Sequence, residues 1–163
     1  MRRLTRKRGL GGARSVEEHV RRQQTMTLRL ARVNYCDLNA RQKENYNFLK
    51  VSAVLADYGF VTRRLSDDWQ GADFIAQHVN GETFLKVQLK SRLSFAEKYR
   101  GKNLYIAFCS GEDCYLFPHD ELLDRVLAET NVGTTVSWLE QRGYSFPELS
   151  RQMQKMLAPY SIR

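Results

Sequence analysis

Three polar side chains near the middle of the chain have types and a spacing suited to binding a metal ion. Asp73 lies in an apolar run, and Gln88 and Lys90 follow it after fourteen intervening residues. A hard divalent cation such as Mg²⁺ prefers oxygen ligands, usually one or two carboxylates together with waters and phosphate. The Asp73 carboxylate, the Gln88 amide oxygen and the main-chain carbonyl of Leu89 are such ligands. Lys90 beside the metal would hold an attacking water, whose pKa the metal lowers, so this set suits hydrolysis of a phosphate ester.

The sequence around these residues predicts a β-hairpin. Asn80-Gly81 is a turn signal, because both residues tolerate positive φ and runs of β formers flank them. Beyond the turn, Leu85, Val87 and Leu89 alternate with polar residues, which is the period-2 pattern of a half-buried strand. The polar positions of this strand and its continuation are Lys86, Gln88, Lys90 and Arg92. We therefore expect Asp73 on one strand to lie beside Gln88 and Lys90 on the next.

A surface hairpin with an ordinary polar face is the alternative interpretation. Period-2 alternation produces such faces routinely, which would explain Gln88 and Lys90 taken alone. It does not explain Asp73, because a carboxylate is disfavoured in the interior of a strand.

The spacing of Asp73 and Gln88-x-Lys90 resembles the motif of the PD-(D/E)xK nuclease superfamily. It is most similar to the variant in Mrr-like restriction endonucleases, in which glutamine replaces the acid of (D/E)xK. No proline precedes the aspartate, and Gly71-Ala72-Asp73 is closer to the Gly-x-Asp form of Mrr-like and Holliday-junction-resolvase-like members. The resemblance covers about residues 39 to 125. It implies an α/β, restriction-endonuclease-like fold with a small mixed β-sheet flanked by helices.

Members of this superfamily also place a glutamate on the helix before the core sheet, and Glu44 fits that position. A helix is predicted from Asn39, as its N-cap, to Tyr58, with Gly59 just past its end. Glu44 lies one turn before the apolar stripe of this helix and in line with it. The stripe consists of Phe48, Val51, Leu55 and Tyr58. A solvated first-turn glutamate favoured by the helix dipole is the alternative.

The resemblance implies specific roles for these residues. Glu44, Asp73, Gln88 and Lys90 would be catalytic, and the first three would hold Mg²⁺ or Mn²⁺. Cationic side chains around the core would counter the charge of a phosphate. These are Lys86, Arg92, Arg63 and Arg64.

The excess positive charge is confined to the N-terminal fifth of the chain. The 163 residues carry a net charge of +8, and residues 1–32 account for all of it. Residues 1–14 are predicted to form a flexible basic arm that binds phosphate backbones in a salt-dependent manner. Its main cationic residues are Arg2, Arg3, Arg6, Lys7 and Arg8. A capping box at Ser15 and Glu18 predicts a helix to about Arg32. Met26 as the true start is the alternative, and the arm would then be dispensable.

Composition and cysteine usage predict a cytoplasmic protein. No apolar run approaches the length of about 20 residues that a membrane helix needs, and the N-terminus lacks a signal-peptide core. Three cysteines, an odd number, do not make a disulfide framework. Cys109 and Cys114 flank a predicted hairpin turn, but buried free thiols are the expectation without an export signal. The three histidines show no spacing that supports a zinc site.

The remaining elements complete an α/β order. A strand is predicted at Phe60–Leu65, and the apolar run Asn103–Cys109 predicts a central strand that is covered on both faces. Cys114–Phe117 is its expected hairpin partner. Pro118 then opens a helix, where we expect His119 to cap or pack rather than act as a general base.

The predicted organisation has four parts, ending in a helical packing element. Residues 1–14 form the arm, 15–38 a helix and linker, 39–128 the nuclease core, and 129–163 the C-terminal packing element, with a helix from about Glu148 to Leu157. The expected function is metal-dependent cleavage of nucleic acid, by a DNA endonuclease of the defence or repair type. A nuclease fold that binds nucleic acid or another partner with weak or no cleavage is the alternative. No membrane contact is expected, and a homodimer or larger assembly is left open.

Overall fold

The computed structural model describes residues 30–163, apart from the side chain of Asp68. Residues 35–163 form one compact unit. The predicted basic arm lies outside the described residues, with Arg2, Arg3, Arg6, Lys7 and Arg8, as does most of the helix predicted after it. None of the helices within residues 30–163 is long and apolar enough to cross a bilayer.

A six-stranded mixed sheet flanked by helices forms the core, which confirms the predicted α/β class. Its strands are β1 (Phe60–Trp69), β2 (Ala72–His78), β3 (Phe84–Leu89), β5 (Leu104–Ser110), β6 (Asp113–Pro118) and β8 (Ser161–Ile162). They follow the order β1-β2-β3-β5-β6-β8, and only the β3–β5 pair is parallel. β4 (Ser94–Ala96) and β7 (Gly143–Ser145) form a separate two-stranded sheet. The helices are α1 (Ala40–Asp57), α2 (His119–Glu129), α3 (Val136–Gln141) and α4 (Arg151–Leu157).

Helix α1 begins and ends where local signals place it. The Asn39 side chain accepts a hydrogen bond from the Gln42 main-chain N–H, and the Gln42 side chain accepts one from the Asn39 N–H. This reciprocal capping box satisfies two N-terminal donors. Gly59 has φ +77°, the left-handed conformation that commonly ends a helix. Of the predicted apolar stripe, Val51 and Leu55 are buried, whereas Tyr58 is 45% exposed.

The two faces of the sheet are covered by different helices. Alternate residues of β2 and β3, including Phe74, Ala76 and Val87, pack with Val51 and Leu55 of α1. On the other face, the β5 and β6 residues Ile106, Phe108 and Phe117 pack against α2 and α4. The prediction that Leu85, Val87 and Leu89 share a face is therefore confirmed, since all three belong to the layer under α1.

The predicted hairpin joins β2 to β3, with a loop longer than the two-residue turn expected. Asn80 Oδ1 accepts hydrogen bonds from the main-chain N–H groups of Glu82 and Thr83, and Gly81 has φ +77°. The His78 N–H donates to the Thr83 carbonyl and closes the loop. Asn80 therefore organises a wider turn through its side chain.

The expectation of free thiols at Cys109 and Cys114 is wrong, because the two residues form a disulfide. They are directly opposite each other in the β5–β6 ladder, with Cα atoms 4.0 Å apart. The hairpin turn between Ser110 and Asp113 sets that register and brings the two sulfurs together. Cys36 is exposed and takes no part in this disulfide.

Most other elements lie close to their predicted positions. The central strand occupies Leu104–Ser110, and Pro118 immediately precedes α2. β1 continues to Trp69, beyond the predicted end at Leu65. The C-terminal helix starts at Arg151 instead of Glu148, because the Ser150 side chain accepts a hydrogen bond from the Met153 N–H and caps it there.

Candidate active site

Asp73 and Gln88 lie across from each other on neighbouring strands. Phe74 pairs with Val87, and the same antiparallel register sets Asp73 against Gln88. The Gln88 amide nitrogen donates to Asp73 Oδ2, and the Leu89 N–H donates to the same oxygen at 2.7 Å. The amide nitrogen is also 3.4 Å from the Leu89 carbonyl oxygen. The Asp73 carboxylate and the Leu89 carbonyl, two of the suggested ligands, therefore both lie beside the Gln88 amide nitrogen, whereas the amide oxygen suggested as the third ligand takes part in neither contact.

A large bulge in β1 shapes the cleft above Asp73. Pairing with β2 stops at Arg64 opposite Phe74 and resumes at Trp69 opposite Ala72, so residues 65–68 have only Asp73 opposite them. Leu65, Ser66 and Asp67 of this segment form one wall of an open cleft of about 320 Å³. Bulges are common beside active sites, because they redirect side chains at the end of a strand pair.

Glu44 lies on another wall of the same cleft, together with Arg64. Its Oε1 accepts a hydrogen bond from Arg64 Nη2 at 3.1 Å, and its side chain is 61% exposed. Arg64 also donates to Asn45 and stacks over the ring of Phe48, with Cζ 4.7 Å from the centroid. The N-terminal half of α1 thus places Glu44 on the same cleft as Asp73 and Gln88, where its carboxylate is paired with Arg64.

Lys90 does not line the cleft, but its side chain contacts Tyr99, which does. The Lys90 N–H donates to the Ala107 carbonyl at 2.8 Å, which extends the β3–β5 pairing past the end of β3. Its Nζ donates to the Tyr99 hydroxyl at 3.1 Å and lies 5.0 Å from the ring centroid. Tyr99 is 6% exposed and lines the cleft with Asp73 and Gln88.

Tyr99 is a cleft residue that sequence reasoning did not connect to the site. The ring fills the space beside Gly71, where an added Cβ would be 2.8 Å from Cε1 and 2.9 Å from Cδ1. Gly71 also has φ +93°, which strains any residue with a side chain. The glycine two residues before Asp73 is the signal that could have indicated a bulky neighbour.

His119 packs behind Tyr99, as predicted, instead of facing the cleft. Its ring is 1% exposed and meets the Tyr99 ring nearly at right angles, with centroids 5.7 Å apart. His119 Nδ1 shares a hydrogen bond with Asp120 Oδ1 at 2.7 Å. Burial tends to raise the pKa of Asp120, but hydrogen bonds from His119 and the Gly101 N–H outweigh it, so the pKa lies below its usual value.

The four cationic residues predicted around the core are dispersed. Arg64 lines the cleft, whereas the neighbouring Arg63 is exposed and, by strand alternation, points to the opposite face of β1. Lys86 Nζ donates to the Gln70 side chain and the Lys102 carbonyl. Arg92 is exposed beyond the end of β3.

The donor atoms around Asp73 suit a hard cation better than zinc. Within residues 30–163, no three aspartate, glutamate, histidine or cysteine side chains lie close enough together to hold a metal ion. One carboxylate with an amide and a main-chain carbonyl, and a second carboxylate across the cleft, fits the oxygen preference of Mg²⁺, which keeps several waters. This set of donor atoms lacks the nitrogen and sulfur ligands typical of zinc.

No protein-family model matches the chain, and no curated protein sequence does. Two solved structures are similar to parts of it. One is Hjc, a Holliday junction resolvase from the archaeal hyperthermophile Archaeoglobus fulgidus, with 19% identity over 45% of this chain and 76% of that protein, and a TM-score of 0.36. The other is a bacterial homing endonuclease, with 14% identity over 70% of this chain and 79% of that protein, and a TM-score of 0.44.

Proposed function

We propose that this protein is a metal-dependent phosphodiesterase that cleaves nucleic acid, acting as a DNA endonuclease of the defence or repair type. The observation that carries the proposal is the meeting of Asp73, Gln88 and the Leu89 carbonyl at one end of the sheet. Glu44 reaches the same cleft from α1. Residues that match the motif of the PD-(D/E)xK superfamily in sequence are thus supported by proximity in space.

Asp73, Gln88, Glu44 and the Leu89 carbonyl would hold Mg²⁺ or Mn²⁺. A bound metal would activate water and stabilise negative charge on the phosphate. Lys90 supplies a positive charge to the same end of the sheet, and Tyr99 fixes its position through the hydroxyl and the ring face. The ammonium would orient the attacking water by hydrogen bonding and offset the charge of the reacting phosphate.

Phosphates on either side of the cleavage point need further cations. Arg64 lines the cleft, and Arg63, Lys86 and Arg92 are proposed to contact the backbone farther from it. The basic residues of the N-terminal arm would add sequence-independent affinity. We also propose the division at residues 38 and 128, with a nuclease core between the linker and the C-terminal packing element.

Cleavage assays with purified protein test the proposal. Supercoiled plasmid, linear duplex, single-stranded DNA and RNA are incubated with Mg²⁺, Mn²⁺ or EDTA. Asp73→Ala and Lys90→Ala are each expected to lower cleavage by about 100-fold or more, as is typical when a metal ligand or charge-stabilising group is removed. Lys98→Ala is the matched control, because Lys98 Nζ also lies 5.0 Å from the Tyr99 centroid. Cleavage that persists in EDTA or in Asp73→Ala would overturn the proposal.

The second candidate is a module that keeps this fold for binding without cleavage. Three contacts favour it: the Gln88 amide nitrogen faces the Asp73 carboxylate, Glu44 is paired with Arg64, and Lys90 is bonded to Tyr99. An amide in place of a carboxylate also removes one negative charge and weakens metal affinity. Wild type that shifts nucleic acid in a gel, but is as inert as its variants in cleavage, would establish this candidate.

A further inference from the structure

We propose that the open face of strands β1, β2 and β3 binds the unpaired bases of single-stranded DNA and leads the strand to Asp73. The direction assigned to the strand, toward Asp73, rests on the proposed function. Binding of the strand to the sheet needs no metal and no cleavage. We call this surface the open sheet face, and we define it by Val61, Arg63, Ile75, Gln77, Phe84 and Lys86.

The strand register arranges these residues in rows across the sheet. Val61 pairs with Gln77, and Gln77 pairs with Phe84. One step along, Ile75 pairs with Arg63 on one side and with Lys86 on the other. A further step along, the same register brings Asp73 opposite Gln88. Because alternate residues of a strand share a face, all three rows lie on one side of the sheet.

On this side of the three strands the Val61–Gln77–Phe84 row is exposed, Ile75 and Lys86 are half-buried, and Gln88 is buried beside Tyr99. Phe74, Ala76 and Val87, which alternate with the row residues, are buried under α1 on the opposite side. α2 and α4 pack on this side of the sheet at β5 and β6. Val61 is 56% exposed and Phe84 is 55% exposed, although both lie within strands of the main sheet. Val61 and Phe84 therefore present apolar surface to solvent at the two ends of one row, on either side of Gln77.

The rows change in chemical character toward the candidate active site. The Val61–Gln77–Phe84 row is apolar with one amide, the next row has a cation at each end, and the last row holds the acid and the amide. Gln77 lies about 13 Å along β2 from Asp73 at the usual rise per residue. This order suits a nucleic-acid strand whose base stacks on Phe84, whose adjacent phosphate contacts Arg63, and whose next phosphodiester reaches Asp73. Lys86 would contact a phosphate only after releasing its hydrogen bonds to Gln70 and the Lys102 carbonyl.

A single strand matches this surface better than a duplex does. A phenyl ring on a sheet stacks against the face of a base, as aromatic residues do in single-strand-binding sheets and barrels. In a duplex the base faces are stacked on one another, and only their edges are accessible in the grooves. Phe84 would therefore contribute to the binding of single strands and leave the binding of duplexes almost unchanged.

Fluorescence anisotropy with the full chain in EDTA tests this proposal. The probes are a labelled single-stranded oligodeoxynucleotide, its duplex and an RNA of the same sequence. Phe84→Ala is expected to weaken single-stranded DNA binding about fivefold or more, and to change duplex binding less than about twofold. Phe84→Trp should restore the affinity, because it restores a stacking ring. Leu49→Ala is the matched control, since Leu49 is 65% exposed on α1 and no row of the open sheet face includes it.

Several outcomes would overturn the proposal. If Phe84→Ala weakens single-stranded and duplex binding equally, or weakens neither, Phe84 does not recognise unpaired bases. If the RNA binds more tightly than the single-stranded DNA, and Phe84→Ala weakens that binding, the ligand is RNA and not DNA. A dimer in sedimentation that Phe84→Ala dissociates would show that a second copy occupies the face.

Failure of this proposal is distinguishable from failure of the proposed function. Metal-dependent cleavage with no effect of Phe84→Ala would overturn the binding face alone. Binding of single strands through Phe84 without cleavage would overturn the phosphodiesterase alone and leave the face established.

Discussion

The ring of Tyr99 occupies the space that a side chain at position 71 would need. An added Cβ at Gly71 would be 2.8 Å from Tyr99 Cε1, well inside van der Waals contact. The same tyrosine accepts a hydrogen bond at its hydroxyl oxygen from Lys90 Nζ, 3.1 Å away. The glycine of the Gly71-Ala72-Asp73 sequence therefore allows a buried aromatic residue to hold the candidate catalytic lysine.

Gly71→Ala is expected to destabilise the protein by about 2–4 kcal/mol, since it adds a clash to an unfavourable positive φ. Gly81→Ala is the control, because Gly81 has φ +77° with no atom within 4 Å of its Cβ position; it should cost only about 1 kcal/mol. Urea unfolding measures both. In a Tyr99→Ala background, the cost of Gly71→Ala should fall toward that of the control, with a remainder from Leu104 Cδ1, which is 3.2 Å from the added Cβ. A cost that stays the same would show that the ring is not the cause.

Gln88→Glu is expected to make the protein more dependent on metal. Without metal, the new carboxylate would face Asp73 and repel it, and the hydrogen bond from the Gln88 amide to Asp73 would be lost. We expect these two effects to lower the free energy of unfolding by about 2 kcal/mol. With Mn²⁺, two carboxylates would bind the cation more tightly, and ligand binding to the folded state stabilises it. Melting temperatures in EDTA and in Mn²⁺ measure the difference.

Gln77→Glu is the matched control for Gln88→Glu. It adds the same charge to an exposed position of the adjacent strand, in a different row from Asp73. Its melting temperature should change little with Mn²⁺. A Gln88→Glu variant that gains no more from Mn²⁺ than this control would argue against Gln88 as a metal-site residue.

Much of the fold was predictable because its signals are local. Asn39 and Gly59 mark the ends of α1, and Asn80 marks the β2–β3 turn through hydrogen bonds to nearby main-chain groups. The alternation of Leu85, Val87 and Leu89 gives the buried face of β3 directly. Each of these features depends on residues a few positions apart, so sequence alone contains the information.

The parts that sequence did not predict depend on contacts between distant segments. The β1 bulge at residues 65–68 arises where pairing with β2 changes register, and no residue type marks it. The Lys90–Tyr99 contact depends on the short 3-10 turn Glu97–Tyr99, which returns the ring to the sheet. Arg63 and Arg64 had equivalent predicted roles, but strand alternation separates them onto different faces.

The acid dependence of stability is expected to include Asp120. Its pKa is depressed, because hydrogen bonds from His119 and the Gly101 N–H, with the nearby Arg100 charge, outweigh the effect of burial. The ionised carboxylate therefore stabilises the fold fully above its unfolded pKa of about 3.9, and this contribution is lost as pH falls through the lower folded pKa. Asp120→Asn should be less stable than wild type at pH 7 and should lose less stability on acidification.

Urea unfolding at pH 7 and in steps below about pH 4 measures this effect. Glu140→Gln is the control, since Glu140 is an exposed carboxylate of α3, and its acid dependence should match that of wild type. Parallel curves for wild type and Asp120→Asn would show that the contacts of Asp120 do not depend on its charge.

Reduction of the Cys109–Cys114 disulfide should lower stability by a modest amount. The bridge closes a short loop, with a sequence separation of 5, so loop-closure entropy gives about 2 kcal/mol. Urea unfolding with and without dithiothreitol measures it. The double variant Cys109→Ser/Cys114→Ser should unfold identically in both conditions, whereas Cys36→Ser should respond to the reductant as wild type does, because the disulfide does not involve Cys36. A wild type that does not respond to the reductant would instead support the pair of free thiols that the sequence predicted.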